Sequence, residues 1–84
     1  MKPIRLTKHA YEQCAERGAT EEQVHYAIRF GARKTAKRDR QQCACNFSFG
    51  QIWQGSFYAI QQVVPIIKEE EHEIVVITVY TFYF

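Results

Sequence analysis

The change of apolar periodicity near Gly31 constrains the fold of this 84-residue chain more than any other sequence feature. Before Gly31, apolar residues recur at helical spacing; after it, they alternate every second residue, as in half-buried strands. Because helices come first and strands follow, the order predicts an α+β domain with its helices on one face of an antiparallel sheet. The length suits one domain, and we expect residues 1–84 to form it.

Two short helices are predicted in the first part of the chain. Thr7 is a favourable N-cap for a helix over Lys8–Arg17, which Gly18 ends. Thr20–Gln23 has the form of a capping box for a second helix over Glu21–Phe30. The few residues between the helices force a tight corner rather than one long rod.

Three or four antiparallel strands are predicted to follow. Their expected bounds are Ala32–Lys37 (the weakest), Gln41–Phe49, Phe57–Lys68 and Ile74–Phe84. Gly50–Ser56 is interpreted as a turn, and Glu69–His72 as a hairpin tip. Pro65 lacks an N–H group, which places its strand at an edge or at a bulge. Ile74–Phe84 is apolar on both faces, so we expect it to be interior or covered by a partner.

Apolar runs and cysteines indicate the compartment. The longest apolar runs, Val63–Ile67 and Ile74–Val79, are far shorter than the ~20 residues that cross a membrane. The start of the chain lacks the apolar core of a signal peptide, and three cysteines are an odd number for a disulfide scaffold. We therefore expect a cytoplasmic protein with reduced thiols and no membrane contact.

Charge is unevenly distributed along the chain. Met1–Arg40 carries ten basic and five acidic residues, a balance of +5, whereas the remainder has a balance of −3. The densest basic run consists of Arg33, Lys34, Lys37, Arg38 and Arg40. Such a run is typical of a phosphate-contacting segment, and equally of a solvated edge strand that resists aggregation. Both interpretations stay open on the sequence alone.

The cysteines raise the question of a metal site. Cys43 and Cys45 share one face of a predicted strand, and Cys14 with a histidine would complete four ligands. Structural zinc sites usually take paired cysteines from a C-x-x-C turn, and here the pair shares its face with Phe47 and Phe49. We expect packed free thiols, with no metal and no cofactor.

The first helix carries the other candidate chemistry. His9, Gln13 and Arg17 follow one slowly spiralling line at i, i+4 and i+8. An imidazole that moves a proton and a permanent cation suit cleavage of an RNA phosphodiester without metal. One histidine and one arginine on a helix are also common surface residues, so the pattern alone does not decide.

Both ends of the chain resemble a family of small bacterial proteins of unannotated function. The segments that carry the resemblance are Leu6–Ala10, Glu16–Gly18, Thr20–Val24 and Ile74–Tyr80. That family has an H-A-x-x-R-x-x-x-R-G motif on its first helix and a last strand ending in I-T-V-Y. It is similar in architecture to the barnase, EndoU, colicin and RelE group of ribonucleases, which includes toxins of toxin–antitoxin pairs.

The resemblance implies a RelE-like or barnase-like fold and RNA as a substrate. It assigns catalytic roles to His9 as acid or base, Arg17 as phosphate ligand and Tyr80 as a positioning group or proton donor. Gln13 stands where the motif has its first arginine, which puts catalysis in doubt.

Two functions therefore compete. One is a metal-independent, toxin-like endoribonuclease; the other is a non-catalytic module that binds RNA or a protein. The aromatic end, Tyr80–Phe84, predicts either a partner such as an antitoxin or a homodimer through the last strand.

Overall fold

A computed structural model describes all 84 residues and places two helices on one face of a five-stranded sheet. The elements are β1 (Ile4–Leu6), α1 (Lys8–Arg17), α2 (Glu21–Phe30), β2 (Ala32–Thr35), β3 (Gln41–Trp53), β4 (Ser56–Glu69) and β5 (Ile74–Tyr83). The strand order is β1-β5-β4-β3-β2. β1 runs parallel to β5, and the other neighbours are antiparallel.

Both helices have the predicted bounds and the predicted caps. The Thr7 hydroxyl accepts from Ala10 N–H, and Gly18 ends α1 in the left-handed conformation at φ 76°. The capping box is complete, with Thr20 and Gln23 each bonding the other's backbone N–H. Helix signals act over three or four residues, which is why the sequence alone could locate them.

The sheet corrects the prediction of three or four antiparallel strands. It has five strands and is mixed, because the short β1 joins the start of β5 in parallel. β3 also continues through Gly50, where the register with β4 shifts, so the predicted turn at Gly50–Ser56 shrinks to Gln54 and Gly55. β5 is interior only over Ile74–Val76, and its remainder has α1 alongside instead of another strand.

Pro65 lies in β4, between β3 and β5, and not at an edge. Its register partner in β5 is Val79, whose N–H and C=O both bond to side chains of α1 and therefore point away from β4. The pairing with β5 consequently needs no N–H from Pro65. A bulge does lie close by, since Ile66 pairs with Thr78 but Ile67 pairs with Val76, which leaves Ile77 as the extra residue.

The core lies between the helices and the sheet. Its members are Leu6, Ala10, Cys14, Val24, Ile28, Cys43, Val63, Ile67, Ile74, Val76 and Val79. Burial raises the pKa of the Cys14 and Cys43 thiols, which behave as small apolar groups in this setting. Neither ten-residue helix has the length or apolarity for crossing a membrane.

Candidate nucleic-acid interface

A tight turn joins β2 to β3 and carries the basic run. Arg38 and Asp39 have positive φ values of 60° and 59°, and Arg40 N–H donates to Lys37 O at 3.2 Å. Ala36 N–H then donates to Arg40 O at 2.8 Å and closes the hairpin. Two consecutive left-handed residues are typical of a type I′ turn, which matches the twist of the flanking strands. The turn leaves Lys37 and Arg38 exposed beyond the ends of β2 and β3.

Four cations on this hairpin have no acidic partner. They are Lys34, Lys37, Arg38 and Arg40, which we call the basic hairpin. None of them forms an ion pair or a side-chain hydrogen bond, and Asp39 beside them forms none either. Lys34, Lys37 and Arg38 are exposed, and Arg40 is half-buried. An incoming anion would therefore meet these charges without first breaking a salt bridge.

Arg33, the fifth cation of the basic run, has a different position. Its register partner Cys43 is buried, so Arg33 extends on the helix side of the sheet. It donates to Ile28 O at 3.0 Å, near the end of α2, and to Gln41 Oε1 at 2.7 Å. It also reaches Glu69 Oε1 at 3.5 Å. These contacts hold α2 on the sheet and occupy much of the guanidinium.

The middle of the predicted catalytic line faces the sheet. Gln13 is only 8% exposed, and its Oε1 accepts hydrogen bonds from Val79 N–H at 2.8 Å and from the Thr78 hydroxyl. The side chain thus satisfies a backbone donor on the free edge of β5, next to the bulge. Gln13 joins α1 to β5 and does not lie on an exposed surface with His9.

Arg17 and Tyr80 are brought together, as a joint site would require. The Arg17 guanidinium carbon lies 5.2 Å from the centroid of the Tyr80 ring, a cation–π distance. Arg17 also donates from Nη1 to Val79 O at 2.7 Å. Gln13 and Arg17 together bond both backbone groups of Val79, which replaces a neighbouring strand at this edge. One of the nitrogen atoms predicted to hold phosphate is therefore engaged with the protein's own backbone.

His9 stands apart from that pair. It is exposed at the first turn of α1 and has no hydrogen bond or ion pair. Arg17 follows His9 by eight helical positions, about 12 Å along the axis. The basic hairpin is further away across the sheet, because β2 lies three strand spacings from β5, roughly 14 Å. The structure thus separates the predicted residues into three places.

A buried amide and an aromatic cluster, which sequence reasoning missed, hold the helical corner. Gln61 donates to Gly18 O at 2.9 Å and to the Tyr83 hydroxyl at 3.1 Å, and accepts from Gln23 at 2.9 Å. The Tyr83 ring is stacked on Trp53 at 5.1 Å. A cleft of about 400 Å³ opens beside this cluster, lined by Glu16, Arg17, Trp53, Gln54, Tyr58, Thr81, Phe82 and Tyr83. The only sequence signal for Gln61 is a polar residue in an otherwise apolar alternation.

Comparison with known protein families identifies the chain. A family model described as "Domain of unknown function (DUF4258)" matches residues 6–81, and the chain therefore belongs to this family. The match extends from β1 through both helices to β5, which agrees with the resemblance to a small family of unannotated function. No curated protein and no solved structure matches the chain significantly.

Proposed function

We propose that this protein binds single-stranded RNA through the basic hairpin. The observation that carries the proposal is four cations on one type I′ hairpin, none of which has a carboxylate partner. Of the seven other lysines and arginines, four contact a glutamate (Lys2, Arg5, Arg33 and Lys68), and the three that do not (Lys8, Arg17 and Arg29) are not grouped at one turn. Unpaired cations at one turn favour a polyanion, since phosphate contacts release counterions from the nucleic acid.

The proposal predicts a steep dependence of binding on salt. For single strands, each neutralised phosphate contributes about −0.7 to the slope of log K against log salt, so four contacts give roughly −3. The probe is a fluorescein-labelled 12-nucleotide RNA, with its anisotropy measured across a KCl series. Lys37→Ala with Arg38→Ala removes two contacts and should flatten the slope by about 1.4.

A matched control separates local contacts from net charge. Lys2→Ala and Arg5→Ala together also remove two cations, and both of those side chains already form ion pairs with glutamates at 3.0 Å. This control should leave the slope near the wild-type value. Equal slopes for the wild type and the hairpin variant would refute RNA binding at the basic hairpin.

A metal-independent endoribonuclease is the second candidate, favoured by the contact between Arg17 and Tyr80. His9 would move the proton of the 2′-hydroxyl, and Arg17 would stabilise charge on the phosphate oxygens. This candidate ranks below binding alone, because Arg17 bonds Val79 O and His9 lies about two helical turns away.

Cleavage is tested separately from binding. Total and ribosome-bound RNA are incubated with the protein in EDTA, and the ends are examined for 2′,3′-cyclic phosphate. An active enzyme leaves such ends, and His9→Ala abolishes them while keeping RNA affinity, because a proton-transfer group acts mainly in the transition state. If the RNA stays intact after incubation with the wild-type protein, the endoribonuclease candidate is wrong and RNA binding without cleavage remains.

A further inference from the structure

The face of the sheet opposite the helices carries a row of exposed aromatic rings. Tyr80 and Phe82 at the end of β5, and Phe84 directly after it, alternate along the chain and are 44%, 51% and 57% exposed. Their register partners in β4 are Val64, Gln62 and Ile60, so the three rings share one face with these residues. Neither helix covers this face, because Val79 and Val63, which alternate with these residues, are the ones in the core. We call it the open face.

A groove follows the open face across three strands. It has a volume of about 460 Å³ and is lined by Gln42, Ala44, Gln62, Val64, Ile66, Tyr80 and Phe82. The amide of Gln62 donates to Asn46 Oδ1 at 2.9 Å, which leaves other donors and acceptors of both amides free. Side-chain amides beside aromatic rings suit the edges and faces of nucleobases.

The charge of the open face favours a polyanion. No aspartate or glutamate occurs between Gln41 and Lys68, or between Ile74 and Phe84, so the long strands have almost no acidic side chains. Lys34 of the basic hairpin pairs in register with Gln42 and therefore borders the groove on the same face. The open face itself has no carboxylate, and it continues into the basic hairpin, where Asp39 is the only acid among the four cations.

We infer that the open face is a stacking platform for the bases of single-stranded RNA, an inference that rests on the proposed function. Phosphates of the strand would contact the basic hairpin at one edge, and bases would lie on the rings of β5. Side chains two residues apart on a strand are about 7 Å apart, so Phe82 and Phe84 can each take a separate base. The Arg17 guanidinium already lies over the ring of Tyr80, so the two phenylalanines are the open rings.

A second copy of the chain fits this face less well. Two copies meeting face to face would bring together surfaces that both lack carboxylates and both have Lys34 at the border. The open face of the second copy would supply no opposite charge to pair with those cations. RNA supplies both the aromatic surface and the negative charge.

The test distinguishes stacking of bases on an aromatic ring from contact with any apolar side chain. Phe82→Leu keeps an apolar side chain without a ring, and Phe82→Trp keeps a ring. With the labelled 12-nucleotide RNA at fixed salt, we expect Phe82→Leu to weaken binding about fivefold or more and Phe82→Trp to retain it. Phe30→Leu is the matched control, since Phe30 is 70% exposed at the end of α2 and away from the open face.

The outcomes separate the platform from the proposed function. Weaker binding by Phe82→Leu with an unchanged salt slope supports the platform, because stacking releases no counterions. Unchanged affinity, together with a flattened slope in Lys37→Ala/Arg38→Ala, overturns the platform and leaves the basic hairpin as the RNA site. Salt-independent retention of RNA by the wild type refutes phosphate contacts at the basic hairpin, and absence of RNA binding removes both proposals. Sedimentation showing a dimer that Phe82→Leu dissociates, without loss of RNA affinity, assigns the face to self-association instead.

Discussion

At the scale of single residues, the contacts of Gln13 change the interpretation of the first helix. From the sequence, Gln13 occupies the place of a lost catalytic arginine. In the structure it is buried and accepts hydrogen bonds from Val79 N–H and the Thr78 hydroxyl. The spacing of residues along a helix shows which side chains share a line but not which part of that line the sheet covers.

We therefore expect Gln13→Ala to destabilise the fold. Val79 N–H would lose its only acceptor at this edge, and an unsatisfied backbone donor costs about 1–3 kcal/mol. Urea denaturation followed by circular dichroism measures the loss. Gln51→Ala, on an exposed glutamine of β3, is the control and should stay within about 0.5 kcal/mol. Equal stability of the two variants would contradict the role of Gln13 at this edge.

The same geometry determines what the motif's arginine would do at position 13. By spacing along the helix alone, an arginine at position 13 adds a cation one turn from His9 and Arg17. A guanidinium has only donors, so it cannot accept from Val79 N–H, and here it would enter a buried position. We expect Gln13→Arg to lower the melting temperature at least as much as Gln13→Ala. A rise in stability or in RNA cleavage would show that the edge of β5 rearranges around the new side chain.

The three cysteines should differ in reactivity. Cys14 and Cys43 are buried, whereas Cys45 is partly exposed, and burial raises the pKa of all three thiols. The thiolate is the reactive form, so raised pKa values slow reaction with a disulfide reagent below pH 8. We expect one thiol to react in the folded protein and three in urea. Cys45→Ser should remove the native reaction; reaction of all three thiols at one rate would show that the core opens readily.

At the scale of elements, the features that depend on neighbouring residues were predicted, whereas the strand pairings that depend on distant residues were not. Thr7, Thr20 and Gly18 determine the helix bounds through contacts within a few residues. β1 has three residues, too few for an alternation pattern, and its partner in β5 is about seventy residues away in sequence. The mixed sheet therefore depends on a pairing that no local pattern contains.

The turn of the basic hairpin provides a prediction about a single structural element. Asp39 adopts φ 59°, a conformation that costs a residue with a side chain about 1 kcal/mol and glycine little. Asp39→Gly should therefore stabilise the hairpin by roughly 0.5–1 kcal/mol, and it also removes the acid among the four cations. Urea denaturation measures the stability, and RNA affinity should not fall. A loss of stability would indicate that the Asp39 side chain supports the turn.

At the scale of the whole molecule, the fold determines how far apart the basic run and the other candidate residues lie. The sequence located the basic run and the candidates His9, Arg17 and Tyr80, yet their separation follows from strand order. Because β2 and α1 lie near opposite edges of the sheet, the basic hairpin and the Arg17–Tyr80 pair are separated by the width of the intervening strands. The sequence singled out the aromatic end Tyr80–Phe84 but not the open face around it, since that requires knowing which face of each strand the helices cover.

The register also brings the acidic hairpin tip, Glu70–Glu73, to the same end of the sheet as the basic hairpin. Gln41 pairs with Ile67 and Glu69 pairs with Ile74, so both turns extend beyond the same end and lie one or two strand spacings apart, roughly 5–10 Å. At that distance the glutamates repel a phosphate chain bound to the basic hairpin when the salt concentration is low.

We therefore expect Glu71→Gln to strengthen RNA binding about twofold at 20 mM KCl and to have no effect at 500 mM, where the Debye length is only a few ångströms. The Glu71 side chain is 88% exposed, so the substitution should leave stability unchanged. Glu12→Gln on the exposed surface of α1, near the opposite edge, is the matched control and should bind RNA as the wild type does at both salt concentrations. A gain for Glu71→Gln that persists at 500 mM would show a direct contact between this tip and the RNA, whereas no gain at 20 mM would place the bound strand away from this end of the sheet.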